Sequence, residues 1–145
     1  MRTKKFVYKV NVKWLEAKRG VLSSDDKPDV EIATPAEFRG HSGIWTPENL
    51  FVASVNSCIM TTFLFYAEKN GFEFVNYSSE AEGVLEHTED GFMFSEIIVR
   101  PNIVVKQESD IEKAKDFISR SEKGCLISSS IKSKVTLFPE IKSPR

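Results

Sequence analysis

The chain has 145 residues, 41% of them hydrophobic and 28% charged, the proportions of one soluble globular domain spanning residues 1–145. At that length roughly 70% of the unfolded surface can be buried, so a full core is possible without disulfide or metal staples. A formal net charge of −1 excludes the basic excess by which nucleic-acid binders and polybasic membrane-surface proteins are known, so neither nucleic acid nor membrane is expected as a partner.

The N-terminal stretch MRTKKFVYKV has neither the apolar run nor the small-residue cleavage site of a secretory signal, which predicts a cytoplasmic location and reduced cysteines. From Lys5 to Leu15, Phe6, Tyr8, Val10, Val12 and Trp14 alternate with Lys9, Asn11 and Lys13, the period of a strand with one wet face. Ala17 to Gly20 breaks the pattern, a second strand begins near Val21, and a third covers Val30 to Ala33 after the turn-forming SSDDKPD. Thr34 to Trp45 has no period and two glycines and reads as a loop, the kind of segment that often carries function.

Thr46 suits an N-cap, Pro47 the first helical position and Glu48 the positive end of the helix dipole; the helix runs to about Lys69 and ends at Asn70-Gly71. Its apolar residues do not fit one stripe, which predicts a helix covered nearly all round and therefore a partner subunit. Two strands follow, Tyr77 to His87 and Phe92 to Val105, joined at a turn through Asp90-Gly91, with a bulge or an edge expected at Pro101. Ser109 is placed to cap a second helix with the stripe Ile111, Ala114, Phe117 and Ile118, and Gly124 stops it. LISSSI then allows another helical turn or two, and Lys134 to Phe138 reads as a last strand. The fold class is α+β.

Chemistry concentrates on two cysteines. Only the thiolate is a good nucleophile, and backbone N–H groups or a nearby arginine favour it. Cys125 sits between a helix stop and a helix start, where unpaired N–H groups are available, whereas Cys58 lies mid-helix and needs a cation held by an acid. A buried, inert role is the competing reading for each thiol. His41 and His87 with the two cysteines lack the close ligand pair of a zinc site, so no metal is assigned. Phe51, Phe63, Phe65, Tyr66, Phe72 and Phe74 read as core rather than a ligand cage, with Trp45 as a candidate entrance residue.

The segment WTPENLFVASVNSC resembles the T-N-P-E-x-L…C stretch of the OsmC/Ohr family, the osmotically inducible and organic hydroperoxide resistance proteins, and KGCLISSSIKSKVTL resembles that family's second cysteine segment. The resemblance covers nearly the whole chain. Thr46 stands where the family commonly has Asn, and Leu126 replaces the usual Pro. What it implies is antiparallel sheets around a long central helix in an intertwined homodimer. It also implies a peroxidase that reduces organic hydroperoxides without metal, haem or flavin and is recycled by a lipoyl-type or thioredoxin-like dithiol. On this resemblance Cys58 matches the peroxidatic cysteine, Cys125 the resolving cysteine and Glu48 the acid that orients the catalytic arginine. That arginine matches Arg19, with Arg39 as the alternative. The competing reading is a small-molecule binding or carrier module that keeps the fold without efficient turnover.

Overall fold

The structure, a computed structural model, describes residues 3–144. The chain forms two compact units, one ending at Leu50 and one beginning at Phe51. The first is built on a three-stranded antiparallel sheet in the order β1 (Asn11–Glu16), β2 (Arg19–Ser23), β3 (Val30–Ala33). The alternation from Lys5 predicted a longer first strand. Pairing begins only at Asn11, opposite Ser23, because β2 supplies no partner beyond that residue, and Phe6, Tyr8 and Val10 lie outside the sheet with their side chains exposed. β1 is itself exposed along its whole length, including Val12 and Trp14.

The loop after β3 contains a single 3-10 turn, Ala36–Phe38, closed by Arg39 in the left-handed region (φ 64°). It is pinned at both ends: Pro35 bridges to His41, and the Ala33 N–H donates to the Trp45 carbonyl at 2.9 Å. Thr46 then caps the long helix α1 (Pro47–Lys69) as expected, and more completely than one residue suggests. The Asn49 N–H donates to Thr46 Oγ1 at 3.0 Å, and the Thr46 N–H donates to Asn49 Oδ1 at 3.1 Å, so two orphan donors are satisfied reciprocally, as in a capping box with Asn in place of Glu.

The C-terminal end of α1 is closed by Gly71 (φ 60°), with the Phe72 N–H donating to the Ala67 carbonyl and the Gly71 N–H to the Glu68 carbonyl, the bond pair of a Schellman motif. Within the second unit a hairpin of two 15-residue strands follows, β4 (Phe74–Thr88) and β5 (Gly91–Val105). The helix α2 (Ile111–Gly124) starts at Asp110 after a 3-10 turn rather than at Ser109. Two short strands end the chain, β6 (Lys134–Leu137) and β7 (Glu140–Lys142), and both run parallel to β5 along the edge that β4 leaves free. The second sheet is therefore mixed rather than purely antiparallel, and β7 has no counterpart in the sequence reading. Pro101 is neither on an edge nor at a bulge. It is buried where β5 changes partner from β6 to β7, so a residue without an N–H falls at a break in the ladder.

One core holds the second unit together. Val55, Ile59, Phe63 and Ala67, each one helical turn after the last, cluster with Ile97, Val99, Ile103 and Val105 from β5 and with Ala114, Phe117 and Ile118 from α2. Gly83 in β4 permits the helix to come this close, since a Cβ there would lie 2.6 Å from Val52 Cγ2 and 2.8 Å from the Phe94 ring. The rest of α1 departs from the sequence reading: one stripe is buried, while Phe65 is 59% and Leu64 38% exposed in the single chain. By length and composition α1 could also cross a membrane; here its buried stripe belongs to a protein core.

Candidate functional site

The second unit brings the two cysteines together. On α1, Cys58, Thr62 and Tyr66 are spaced by four residues and so share a face adjoining the buried stripe. That face meets the chain segment leaving α2. At Gly124 a Cβ would stand 3.0 Å from the Tyr66 hydroxyl oxygen and 3.5 Å from the Thr62 methyl. The backbone then turns extended at Cys125 (φ −71°, ψ 116°) and winds through Leu126 and Ile127 into the 3-10 turn Ser128–Ser130.

This winding leaves several N–H groups without intrahelical partners, and the sequence reading gave them to Cys125. The structure divides them. The Ser128 N–H donates to Cys125 Sγ at 3.4 Å, and the Ser129 N–H to the Cys125 carbonyl at 3.1 Å. The N–H groups of Ile127 and Leu126 reach across to Cys58 Sγ instead, as does the thiol of Cys125. The expectation that a mid-helix cysteine has no backbone donors is thus corrected: the donors come from a different segment.

The two thiols are consequently unequal. Burial pushes the half-buried Cys58 thiol up, but hydrogen bonds from the Cys125 thiol, the Ile127 N–H, the Thr62 hydroxyl and the Leu126 N–H together bring it below its ordinary value. Among these, Thr62 has a divided role, because its single proton is also donated to the Cys58 carbonyl at 2.7 Å. Cys125 is fully buried, and burial, its hydrogen bond to Cys58 and the charge on Cys58 push its thiol up against the smaller opposing effect of Ser128. Between two adjacent thiols, the proton therefore stays on Cys125 and the charge develops on the more accessible Cys58. Such an arrangement supplies a nucleophile and, in contact with it, a second sulfur able to form a disulfide.

The other sequence-predicted residues belong to the first unit. Arg19 on β2 is hydrogen-bonded and ion-paired to Glu31 on β3, and it also lies 3.8 Å from Glu16 Oε1. The hydrogen bond and charge of Glu31 raise the pKa of its guanidinium, which stays charged. Arg39 is exposed in the loop. Glu48 lies in the first turn of α1, and its Oε1 is buried without a hydrogen-bond partner among the described residues. Ten positions before Cys58 on one helix, it is about 15 Å of helical rise away, beyond the reach of a carboxylate side chain.

Of the aromatic set, Phe63 is wholly core, Phe51, Tyr66, Phe72 and Phe74 pack against that core, and Phe65 is exposed. Phe51 stacks on Phe94 with ring centroids 5.1 Å apart and, with Leu85, Phe92 and Ile131, lines an open cleft of about 360 Å³. His41 bridges to Pro35, and His87 packs on Phe92 at 4.7 Å. Among the described residues no group of three or more His, Cys, Asp or Glu side chains is placed to hold a metal ion.

A curated relative, the uncharacterized protein YmaD of Bacillus subtilis, is 28% identical over 109 residues, covering 73% of each chain. An OsmC-like protein of unknown function from Vibrio cholerae superposes with a TM-score of 0.86 at 18% identity, covering 94% of this chain and all of that one. The organic hydroperoxide resistance protein OhrB of Bacillus subtilis superposes with a TM-score of 0.66 at 23% identity, over 94% of this chain and 98% of its own. At these identities the solved structures establish the fold. The OsmC-like protein family matches residues 40–138, which include both cysteines, the whole of α1 and most of the second sheet, and the chain belongs to that family.

Proposed function

We propose that the protein is a cysteine-based peroxidase that reduces organic hydroperoxides. The observation that carries this reading is the contact between a half-buried Cys58 held below the ordinary thiol pKa and a buried Cys125 held above it. The Cys58 thiolate attacks the outer oxygen of R–O–O–H. The O–O bond breaks, the alkoxide leaves with a proton as the alcohol, and Cys58 becomes a sulfenic acid. The Cys125 sulfur then attacks the Cys58 sulfur, releasing water and leaving a disulfide. A dithiol of the lipoyl or thioredoxin type takes up the oxidation and restores both thiols. The fold shared with organic hydroperoxide resistance proteins supports the substrate class, and a cytoplasmic location would keep the resting pair reduced.

Arg19 is proposed as the cation that adds to the amide donors at Cys58. The test follows consumption of an organic hydroperoxide and of hydrogen peroxide with each dithiol, in the native chain and in Arg19→Ala and Arg39→Ala. Faster turnover of the organic substrate is expected, with Arg19→Ala raising the thiolate midpoint of Cys58 and slowing the reaction more than Arg39→Ala does. A reversed ranking moves the role to Arg39. The carboxylate partners that Arg19 already has favour one second reading, a binding or carrier module without efficient turnover. Absence of turnover with either peroxide and either dithiol would establish that reading over the first.

The site is further proposed to be completed in a homodimer, with Glu48 acting beside the Cys58 of the partner subunit. Supporting this are the Glu48 Oε1, without a partner among the described residues, and the apolar surface left open in the single chain along β1 and on α1 at Leu64 and Phe65. Cys58→Ser and Glu48→Ala chains, each weak or dead alone, are refolded together. Mixed dimers are expected to regain part of the activity, since one of their two sites receives both intact residues. Verified mixed dimers as inactive as their parents would refute action across the interface.

A further inference from the structure

Most of the donors that lower the Cys58 pKa come from a separate chain segment, so something must hold that segment against α1. Gly124 is the last residue of α2 and the one immediately before the cysteine that donates to Cys58. Its backbone lies so near α1 that a Cβ would meet the Tyr66 hydroxyl at 3.0 Å, the Thr62 methyl at 3.5 Å and the Tyr66 ring at 3.8 Å. The first of these is tighter than a relaxed contact between a methyl carbon and an oxygen. Nothing about its backbone conformation asks for glycine, since its φ is not in the left-handed region. At a helix end an alanine would favour the helix by about 1 kcal/mol at most. The absence of a side chain therefore answers to proximity and not to helix formation.

We propose that Gly124 is a positioning residue: by presenting no Cβ to Tyr66 and Thr62, it lets the Cys125–Ile127 turn close on α1, which sets the Cys125 thiol and the Ile127 and Leu126 N–H groups against Cys58 Sγ. Tyr66 is its counterpart, the side chain whose hydroxyl fixes how near the segment can come. The role acts through the donors and does not require Gly124 to touch a substrate. For turnover it rests on the peroxidase reading; for thiol reactivity it stands without it.

The experiment measures the rate of Cys58 alkylation by iodoacetamide against pH in the native chain, in Gly124→Ala, in Gly124→Val and in the double variant Gly124→Ala/Tyr66→Phe. Thermal unfolding of each variant is recorded in parallel. Gly124→Ala is expected to move the midpoint of the profile upward by about one unit, a tenfold loss of thiolate at a fixed pH below it, without lowering the unfolding temperature. Gly124→Val should move it further. Removing the Tyr66 hydroxyl removes the 3.0 Å contact, so the double variant should return most of the way to the native midpoint. A midpoint unchanged in Gly124→Ala would overturn the proposal, whatever Gly124→Val does to folding. So would a displaced midpoint that Tyr66→Phe fails to restore. Because no peroxide is used, a native chain that alkylates with a depressed midpoint yet consumes no hydroperoxide would count against the peroxidase reading alone.

Discussion

Cys58→Ser is expected to lower hydroperoxide consumption by about a thousandfold or more, to the uncatalysed background, because a serine hydroxyl is not ionised by the donors that serve a thiol. Cys125→Ser should behave differently. It retains the nucleophile, consumes about one equivalent of peroxide per chain and stops, leaving a sulfenic acid on Cys58 that a dimedone adduct would reveal by mass. The serine hydroxyl can replace the donated hydrogen bond but cannot form a disulfide. The first turnover also carries a pH signature. The Cys58 pKa is lowered in the folded chain, so the thiolate is present above that lowered value and the rate falls as pH drops through it. Cys125, raised by burial and by its donation to Cys58, should contribute no attack of its own over the same range. Equal loss of the first equivalent in both variants, with no adduct on Cys58, would reverse the assignment.

Phe63→Ala is expected to produce the largest loss of stability of any single truncation in α1, about 3–5 kcal/mol. The side chain is fully buried and meets the rings of Phe74 and Tyr77, each with centroids 5.3 Å away. Removing it opens a cavity between α1 and the sheet that rigid strands cannot close. Thermal unfolding at one protein concentration should shift by on the order of 10 °C. Phe65→Ala is the internal comparison: its ring is largely exposed in the single chain, so its effect on intrachain stability should be within about 0.5 kcal/mol. If Phe65→Ala cost as much as Phe63→Ala at high dilution, the ranking of these two faces of α1 would be wrong.

The parts of the fold that could be read from sequence are those fixed by neighbours in the chain. Thr46, Pro47 and Gly71 mark the ends of α1 because capping is local chemistry, and both ends fall where they predict. The error in the first strand has the opposite origin. Alternation from Phe6 to Val10 signals two faces, but a strand also needs a partner, and β2 ends its pairing at Ser23. β7 was missed because three residues after Pro139 carry too little pattern to register. In the site, the two cysteines were identified individually and their unequal settings noted. Their donors were misallocated because a backbone N–H has no residue identity: Leu126 and Ile127 serve Cys58 by virtue of where α2 ends, which no motif around Cys58 records.

The parallel pairing of β6 and β7 with β5 has a kinetic consequence. α1 and the β4–β5 hairpin join neighbouring stretches, whereas closing β6 onto β5 spans the whole of α2 and the cysteine turn, a loop whose entropy must be lost before its contacts stabilise anything. Docking of the C-terminal strands is therefore expected among the late folding events. The turn at Cys125 is tethered between α2 and β6, so it settles onto α1 only then. During synthesis Cys58 leaves the ribosome well before Leu126 and Ile127, so the donors that lower its pKa reach it only after α2 has been made.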